Sequence, residues 1–306
     1  MNINSMELAE RLNGVHSGPV VTLTGVAGLE AAGPAQLSFT ASAPADSLAG
    51  CLLVNTPVMG RSCIVVDDPK GSFAQVCADF FPDPRISGIH PTAVVNGELG
   101  ARCALGAQAV VEAGAVVGDN VQLHAGVVVC SGAKIGDDCV LFPHVVVHAR
   151  TTLGRRVRVG AGSVLGGEGF GYHLGLLLPH IGGLRIEDDV HIGSACTIDR
   201  AQVDETVIGA RSRLDNLVHI AHNVIVGEDV YMAAQVGIAG SSHIGDRVQI
   251  GGQAGFVDHV RVGAGAKVGA KSGVPRDVPP GETVLGIPAL PINTTLRIWA
   301  KLKDLV

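Results

Sequence analysis

Aromatic side chains are scarce in this sequence: one Trp, two Tyr and seven Phe in 306 residues, or 3%. A core centred on large rings is thereby excluded, and aliphatic packing has to take its place. Long apolar runs are missing as well. Although 47% of the chain is hydrophobic, Gly, Asp, His or Arg interrupts the apolar residues every few positions, and no stretch approaches the roughly 18 residues that span a bilayer. Residues 1–12 carry Glu7, Glu10 and Arg11 where a secretory leader needs an apolar segment, so a cytoplasmic location is expected. Basic residues number 22 against 28 acidic, a net charge of −6, which leaves no electrostatic footprint for nucleic acid. The seven cysteines are odd in number and lack CxxC spacing, which points to free thiols rather than to a disulfide framework or a zinc ribbon.

What the chain has instead is glycine, 42 residues, roughly twice the usual ~7%, and a period of six. From Leu99 to Leu165 every sixth residue is apolar, twelve positions in succession, and after a short stretch at Ile186, Ile192 and Ile198 a second frame runs from Ile208 to Val274, again twelve of twelve. Four residues after each anchor stands a small or β-branched residue such as Ala109, Ala115, Val121, Ser163, Ser212 or Ser242, and the position after the anchor is often Gly, as at 100, 118, 136, 209, 227 and 245. Glycine there suggests a sharp backbone bend. Neither the strand period nor the helix period explains a strict six. A three-sided parallel β-helix does: one hexad makes one side and 18 residues one coil, so that Leu99, Val117, Ile135 and Leu153 form one inward ladder and Val111, Val129, Val147 and Leu165 another. Cys103, Cys139 and Cys196 fall on the small-residue position and read as corner fillers.

Three regions fall outside the repeat. Residues 1–85 combine a helical pattern at Met6 to Leu12 with strand-like runs at 20–27, CLLVN and CIVV, and read as a small α/β domain. Within the solenoid domain, 86–291, the Gly-rich segment 166–183 is an excursion, and four prolines close the repeat over 279–291. Residues 292–306 read as a short C-terminal helix with Leu296, Trp299, Ala300 and Leu302 on one stripe and Arg297, Lys301 and Lys303 beside it.

Most of the twelve histidines occupy outward hexad positions, where solvation or pairing is the default. The segment LDNLVHIAHNVIVG (214–227) stands apart. With IDR (198–200), GIAGSSHIG (237–245), IGGQAGFVDH (250–259), GEGFGY (167–172) and GVAGLEAAGPAQLSF (25–39), it resembles the UDP-3-O-(3-hydroxyacyl)glucosamine N-acyltransferases of lipid A biosynthesis, within the hexapeptide-repeat acyltransferase superfamily. The resemblance covers nearly the whole chain in order. It implies a left-handed coil, an exception to the right-handed crossover rule, and a homotrimer with active sites between subunits. The expected fold class is therefore mainly β: a left-handed parallel β-helix with a small N-terminal α/β domain and a short C-terminal helix.

The resemblance also implies roles. His222, in IAHN, corresponds to the general base, which amide formation needs because the attacking amine sheds a proton as the C–N bond forms. Counting one coil on from His222 reaches Gly240, whose backbone N–H would serve as oxyanion donor. His259 corresponds to a second functional His contacting substrate or carrier. Asp215 and Asn216 either orient His222 and line the cleft or make turn hydrogen bonds. Phe39 is the retained aromatic of the uridine clasp, whose Asn and Tyr are here Ser42 and Ala45. His180 stands where the family commonly has Gln. Arg297, Lys301 and Lys303 suit an acidic acyl carrier protein, and an exposed helix face explains them equally. Expected partners are acyl carrier protein and a UDP-sugar; no cofactor is expected, the acyl chain arriving on the carrier's phosphopantetheine.

Rival readings are an acyltransferase for another nucleotide sugar or acyl donor, suggested by Ser42 and Ala45; a zinc lyase like the γ-type carbonic anhydrases, suggested by His144 and His148; and a non-catalytic scaffold. The His219-x-x-His222 spacing resembles a metal pair, but strand and turn positions do not align as on a helix face, and no metal is expected.

Overall fold

The structure is a computed structural model that describes residues 1–40 and 47–303. Ser42 and Ala45 therefore lie outside the described residues. The chain divides into two compact units, Met1–Pro84 and Arg85–Val306.

In the first unit a five-stranded sheet takes Val15–Ser17, Cys63–Val65, Cys51–Val54, Gln36–Phe39 and Gly25–Val26 in that spatial order. Cys51–Val54 is buried along its whole length, as a central strand requires. Helix α1 (Ser5–Arg11) starts where the Asn4 side chain accepts the Glu7 N–H, a cap that satisfies an orphan donor. Helix α2 (Pro69–Phe80) has no counterpart in the sequence reading. Gly71 and Ser72 in its first turn disguise it, yet Asp68 followed by Pro69 is a start signal, and the Asp68 carboxylate does accept the Gly71 N–H at 2.9 Å.

The second unit is the left-handed parallel β-helix. Its two-residue strands stack into three sheets of eleven, ten and nine strands. The register is the 18-residue one: Leu99, Val117, Ile135 and Leu153 align on one side and Val111, Val129, Val147 and Leu165 on another. These ladders and their second-frame continuation form one buried aliphatic core. The residues four after each anchor also face inward, and their polar members bond to the next coil. Ser163 Oγ donates to the Gly193 carbonyl at 2.8 Å, Ser212 Oγ to Gly227 at 3.0 Å and Cys139 Sγ to Gly154 at 3.1 Å. Burial pushes the Cys139 thiol up to about 12, so it stays protonated and inert.

The bend itself lies elsewhere than the glycines suggest. Left-handed backbone occurs three residues after most anchors, at Asn120 (φ 56°), Asp138 (φ 60°), Asn223 (φ 60°) and His259 (φ 58°) among others. The N–H of each such residue returns to the preceding coil, as Asp138 does to the Asp119 carbonyl at 2.9 Å, which offsets the steric cost of that conformation. Glycine after the anchor answers a different constraint, close approach between coils. A Cβ on Gly136 would lie 2.4 Å from the Gly154 carbonyl oxygen, and one on Gly209 would lie 2.4 Å from Gly227 backbone. Since backbone in a ladder cannot retreat, Gly136→Ala is expected to cost about 2 kcal/mol by overpacking. Gly237→Ala, whose added methyl meets nothing within 4 Å, is expected to leave stability nearly unchanged. Thermal unfolding of both variants checks this.

The excursion leaves the coil after Val164–Gly167, forms a small hairpin of Tyr172–His173 and Leu176–Leu177, and rejoins at Gly183–Ile186. At the other end, helix α3 (Ile292–Lys303) is seated by Thr295, which is buried and whose hydroxyl donates to the Leu285 carbonyl at 2.7 Å. Its apolar stripe, Leu296, Trp299 and Leu302, stays exposed.

Candidate active site

A cleft of about 910 Å³ opens along one side of the solenoid. His219, Gly237, Gly255 and Gly273 follow one another across successive coils on its wall. Three consecutive positions without a side chain leave a shallow trough about 10 Å long, at the ~4.8 Å spacing of neighbouring strands. Phe170 from the excursion stands at one end and Ile287 and Pro288 close the other.

His222, Gly240 and His259 all line this cleft. Their coils are tied directly together, the Ser241 N–H donating to the His222 carbonyl and the His259 N–H to the Gly240 carbonyl, each at 3.0 Å. The Cε1–Nε2 side of the His222 ring lies against Gly240: a Cβ there would come within 2.7 Å of Cε1 and 2.8 Å of Nε2. On the ring's other side Nδ1 sits 3.2 Å from Asn223 Oδ1. That amide is oriented by its own partners, since Oδ1 accepts the Gln202 N–H at 2.9 Å while Nδ2 donates to the Val203 carbonyl at 2.6 Å. An oxygen facing Nδ1 selects the tautomer with the proton on Nδ1 and the free lone pair on Nε2, the nitrogen beside Gly240.

Asp199 is a residue that the sequence reading did not single out. It lines the cleft with only 13% of its side chain exposed, 3.9 Å from His219 Nε2, while Thr197 Oγ1 lies 2.8 Å from His219 Nδ1. Burial raises its carboxyl above the usual range, and the charges of His219, His222 and Arg200 offset part of that. A raised native value means that folding holds a proton which the unfolded chain releases near pH 4, so ionised Asp199 costs stability increasingly as pH rises above that point. Asp199→Asn is therefore expected to raise the melting temperature at pH 7.5 and to change it little near pH 4. Thermal scans at the two pH values decide it.

The remaining sequence-derived candidates of the second unit do not line this cleft. Asp215 and Asn216 are exposed and make corner bonds: Asp215 Oδ1 accepts the Asn216 N–H at 2.7 Å, and Asn216 Oδ1 accepts the Ser194 N–H at 2.8 Å. Asp215 borders a separate groove with Arg213, Tyr231 and Lys267. None of these corner bonds reaches His222. Phe39 belongs to the first unit, its ring 4.9 Å from that of Phe73 and partly sunk in the domain core. Arg297 and Lys301 are exposed on α3, and Lys303 ends that helix. Among the described residues no three His, Cys, Asp or Glu side chains converge as a metal ion needs, and no helix is long and apolar enough to cross a membrane.

Coil geometry and cleft define a class, the hexapeptide-repeat acyltransferases. Residues 132–167 and 205–240 match the bacterial transferase hexapeptide family model, and 98–131 the hexapeptide repeat of succinyl-transferase. Among solved structures, the UDP-N-acetylglucosamine O-acyltransferase of Moraxella catarrhalis is 29% identical, with 66% of this chain and 73% of that one superposed at a TM-score of 0.51. The Arabidopsis UDP-N-acetylglucosamine acyltransferase, 24% identical, shares the fold at 0.56 over 65% and 71% of the two chains. Sequence comparison is more specific. The chain is 43% identical over 311 residues to the UDP-3-O-acylglucosamine N-acyltransferase of Granulibacter bethesdensis, covering 93% of this chain and 88% of that protein. It is 36% identical over 231 residues to that of Pseudomonas syringae pv. tomato, 71% of this chain and 66% of the relative. The chain belongs to the UDP-3-O-acylglucosamine N-acyltransferase family.

Proposed function

We propose that the protein transfers a 3-hydroxyacyl group from the thioester of acyl carrier protein to the 2-amino group of UDP-3-O-(3-hydroxyacyl)glucosamine, a step of lipid A biosynthesis, as a cytoplasmic homotrimer. The observation that carries this reading is the His222 ring lying against Gly240 at the head of a glycine-floored trough. The amine attacks the thioester carbonyl and the C–N bond forms. His222 Nε2 takes the proton that the nitrogen sheds. Charge gathers on the carbonyl oxygen, and the Gly240 N–H, which donates to no protein acceptor among the described residues, is available to it. Collapse of the tetrahedral intermediate breaks the C–S bond, and His222 returns the proton to the departing thiolate. An acyl chain would lie along the glycine floor of the trough, with Val257 and Ile287 as its exposed apolar neighbours. Arg297, Lys301 and Lys303 offer positive charge to an acidic carrier.

Acylation of UDP-3-O-(3-hydroxyacyl)glucosamine with a panel of 3-hydroxyacyl carrier proteins tests the proposal. Turnover supports it and gives the chain length. No turnover by the folded protein, combined with tight binding of a different UDP-sugar in titrations, moves the assignment to that sugar, as the replacement of the clasp by Ser42 and Ala45 would require.

A further inference from the structure

The excursion 166–183 delivers a second histidine to the base. His180 is 3% exposed, and neither of its ring nitrogens has a partner in good hydrogen-bond geometry among the described residues, the Leu178 backbone being the acceptor that acts on it. Its ring meets that of His222 edge to face, centroids 5.1 Å apart and planes at 68°. The seat is made for an imidazole. A Cβ on Gly169 would lie 2.8 Å from His180 Nε2 and 3.1 Å from His222 Cβ, and one on Gly171 would lie 2.9 Å from His180 Cε1. Arg200 fastens the excursion over it, donating from Nε to the His180 carbonyl at 2.8 Å and from a terminal nitrogen to the Gly166 carbonyl at 3.1 Å. A buried polar ring left unsatisfied is costly, and two glycines are spent on keeping it there.

We propose that His180 is a positioning residue for His222: its neutral, buried ring lies against the base so that the pair carries one positive charge, held on His222 while the amine's proton is in transit. This rests on the N-acyltransferase reading of the same cleft. No N–H of His222 is directed at His180, so the free lone pair of His180 acts on the imidazolium that His222 becomes through space, across the edge-to-face contact and from a seat that is 3% exposed. His180 does not compete for that proton. Burial and the charges of His222 and Arg200 lower its affinity for one, and Glu168 and the Leu178 backbone oppose them only in part. Asp199 faces His222 from the neighbouring coil, and His148, itself lowered by burial, faces Arg200. Both remain in every variant compared.

His180→Leu removes the acceptor and keeps the bulk, whereas His180→Gln keeps an acceptor oxygen. In steady-state acylation, His180→Leu is expected to lower kcat about tenfold with KM held within about twofold, as loss of support to an acid–base group does. The acid limb of the rate profile moves to lower pH, because a base whose charged form loses stabilisation takes its proton later. His180→Gln recovers most of kcat. If His180→Leu matches the native rate and pH profile while His222→Ala is inactive, the proposal is overturned and the acyltransferase reading stands. If the native protein shows no turnover, that reading fails separately. The pair is then judged in the unreacted full-length protein by the NMR titration of its histidine rings. A His222 transition at lower pH in His180→Leu supports the pairing; an unchanged one overturns it. If His180→Leu does not fold, the native titration decides alone, and both rings taking protons together near pH 6.5 overturns the proposal.

Discussion

His222→Ala is expected to reduce kcat for N-acylation by about 10³-fold with KM nearly unchanged, the usual range for losing a general base being 10²–10⁴. The residue stands at an outward position of its coil, half-buried, so its removal leaves the aliphatic ladders intact and the melting temperature should hold within a degree or two. Kinetics and a thermal scan on the same preparation separate loss of chemistry from loss of fold. Retention of full rate would remove His222 from the mechanism.

Gly240→Ala is expected to be nearly as damaging, for a geometric reason. The backbone of Gly240 is not left-handed, so alanine is conformationally allowed and its N–H is retained. The added methyl, however, would lie 2.7 Å from Cε1 and 2.8 Å from Nε2 of His222. The ring has to swing away, and a displacement of about 1 Å at a reacting group costs about 10²-fold. The double variant discriminates the routes. With His222 already removed, Gly240→Ala should add little if it acts by displacing the ring, whereas loss of oxyanion stabilisation would persist as a further ~10²-fold.

The solenoid was legible because its core obeys arithmetic. A period of six in aliphatic residues fixes the inward face, and multiples of 18 then place residues on neighbouring coils, which is how Gly240 could be set against His222 before any coordinates. Where the chain leaves that lattice the arithmetic stops. Thr197 pairs with His219 at a separation of 22 residues rather than 18, because extra residues lie around 201–204, so the Asp199–His219 contact has no sequence signal. His180 reaches His222 from outside the repeat altogether. For Asp215 and Asn216 the sequence leaves two readings, cleft or corner, and their hydrogen bonds are those of a corner. Glycine after the anchor was visible as a pattern and its cause was not, since close approach of two backbones depends on the next coil.

The excursion has a consequence for how such a chain diversifies. Beneath it the ladder closes: Leu153 pairs with Ile186 and Leu165 with Ile198, each 33 residues on, so that the 15 residues beyond one coil are looped out and the stack continues past them. Loop and ladder are thus separable in the fold, tied mainly through Arg200 and the His180–His222 contact. Substitutions in the segment that carries Phe170 and His180 can retune the mouth of the cleft and the surroundings of its base without passing through a misfolded solenoid, and exchanging that segment between relatives is a graft that the coil stack is built to accept.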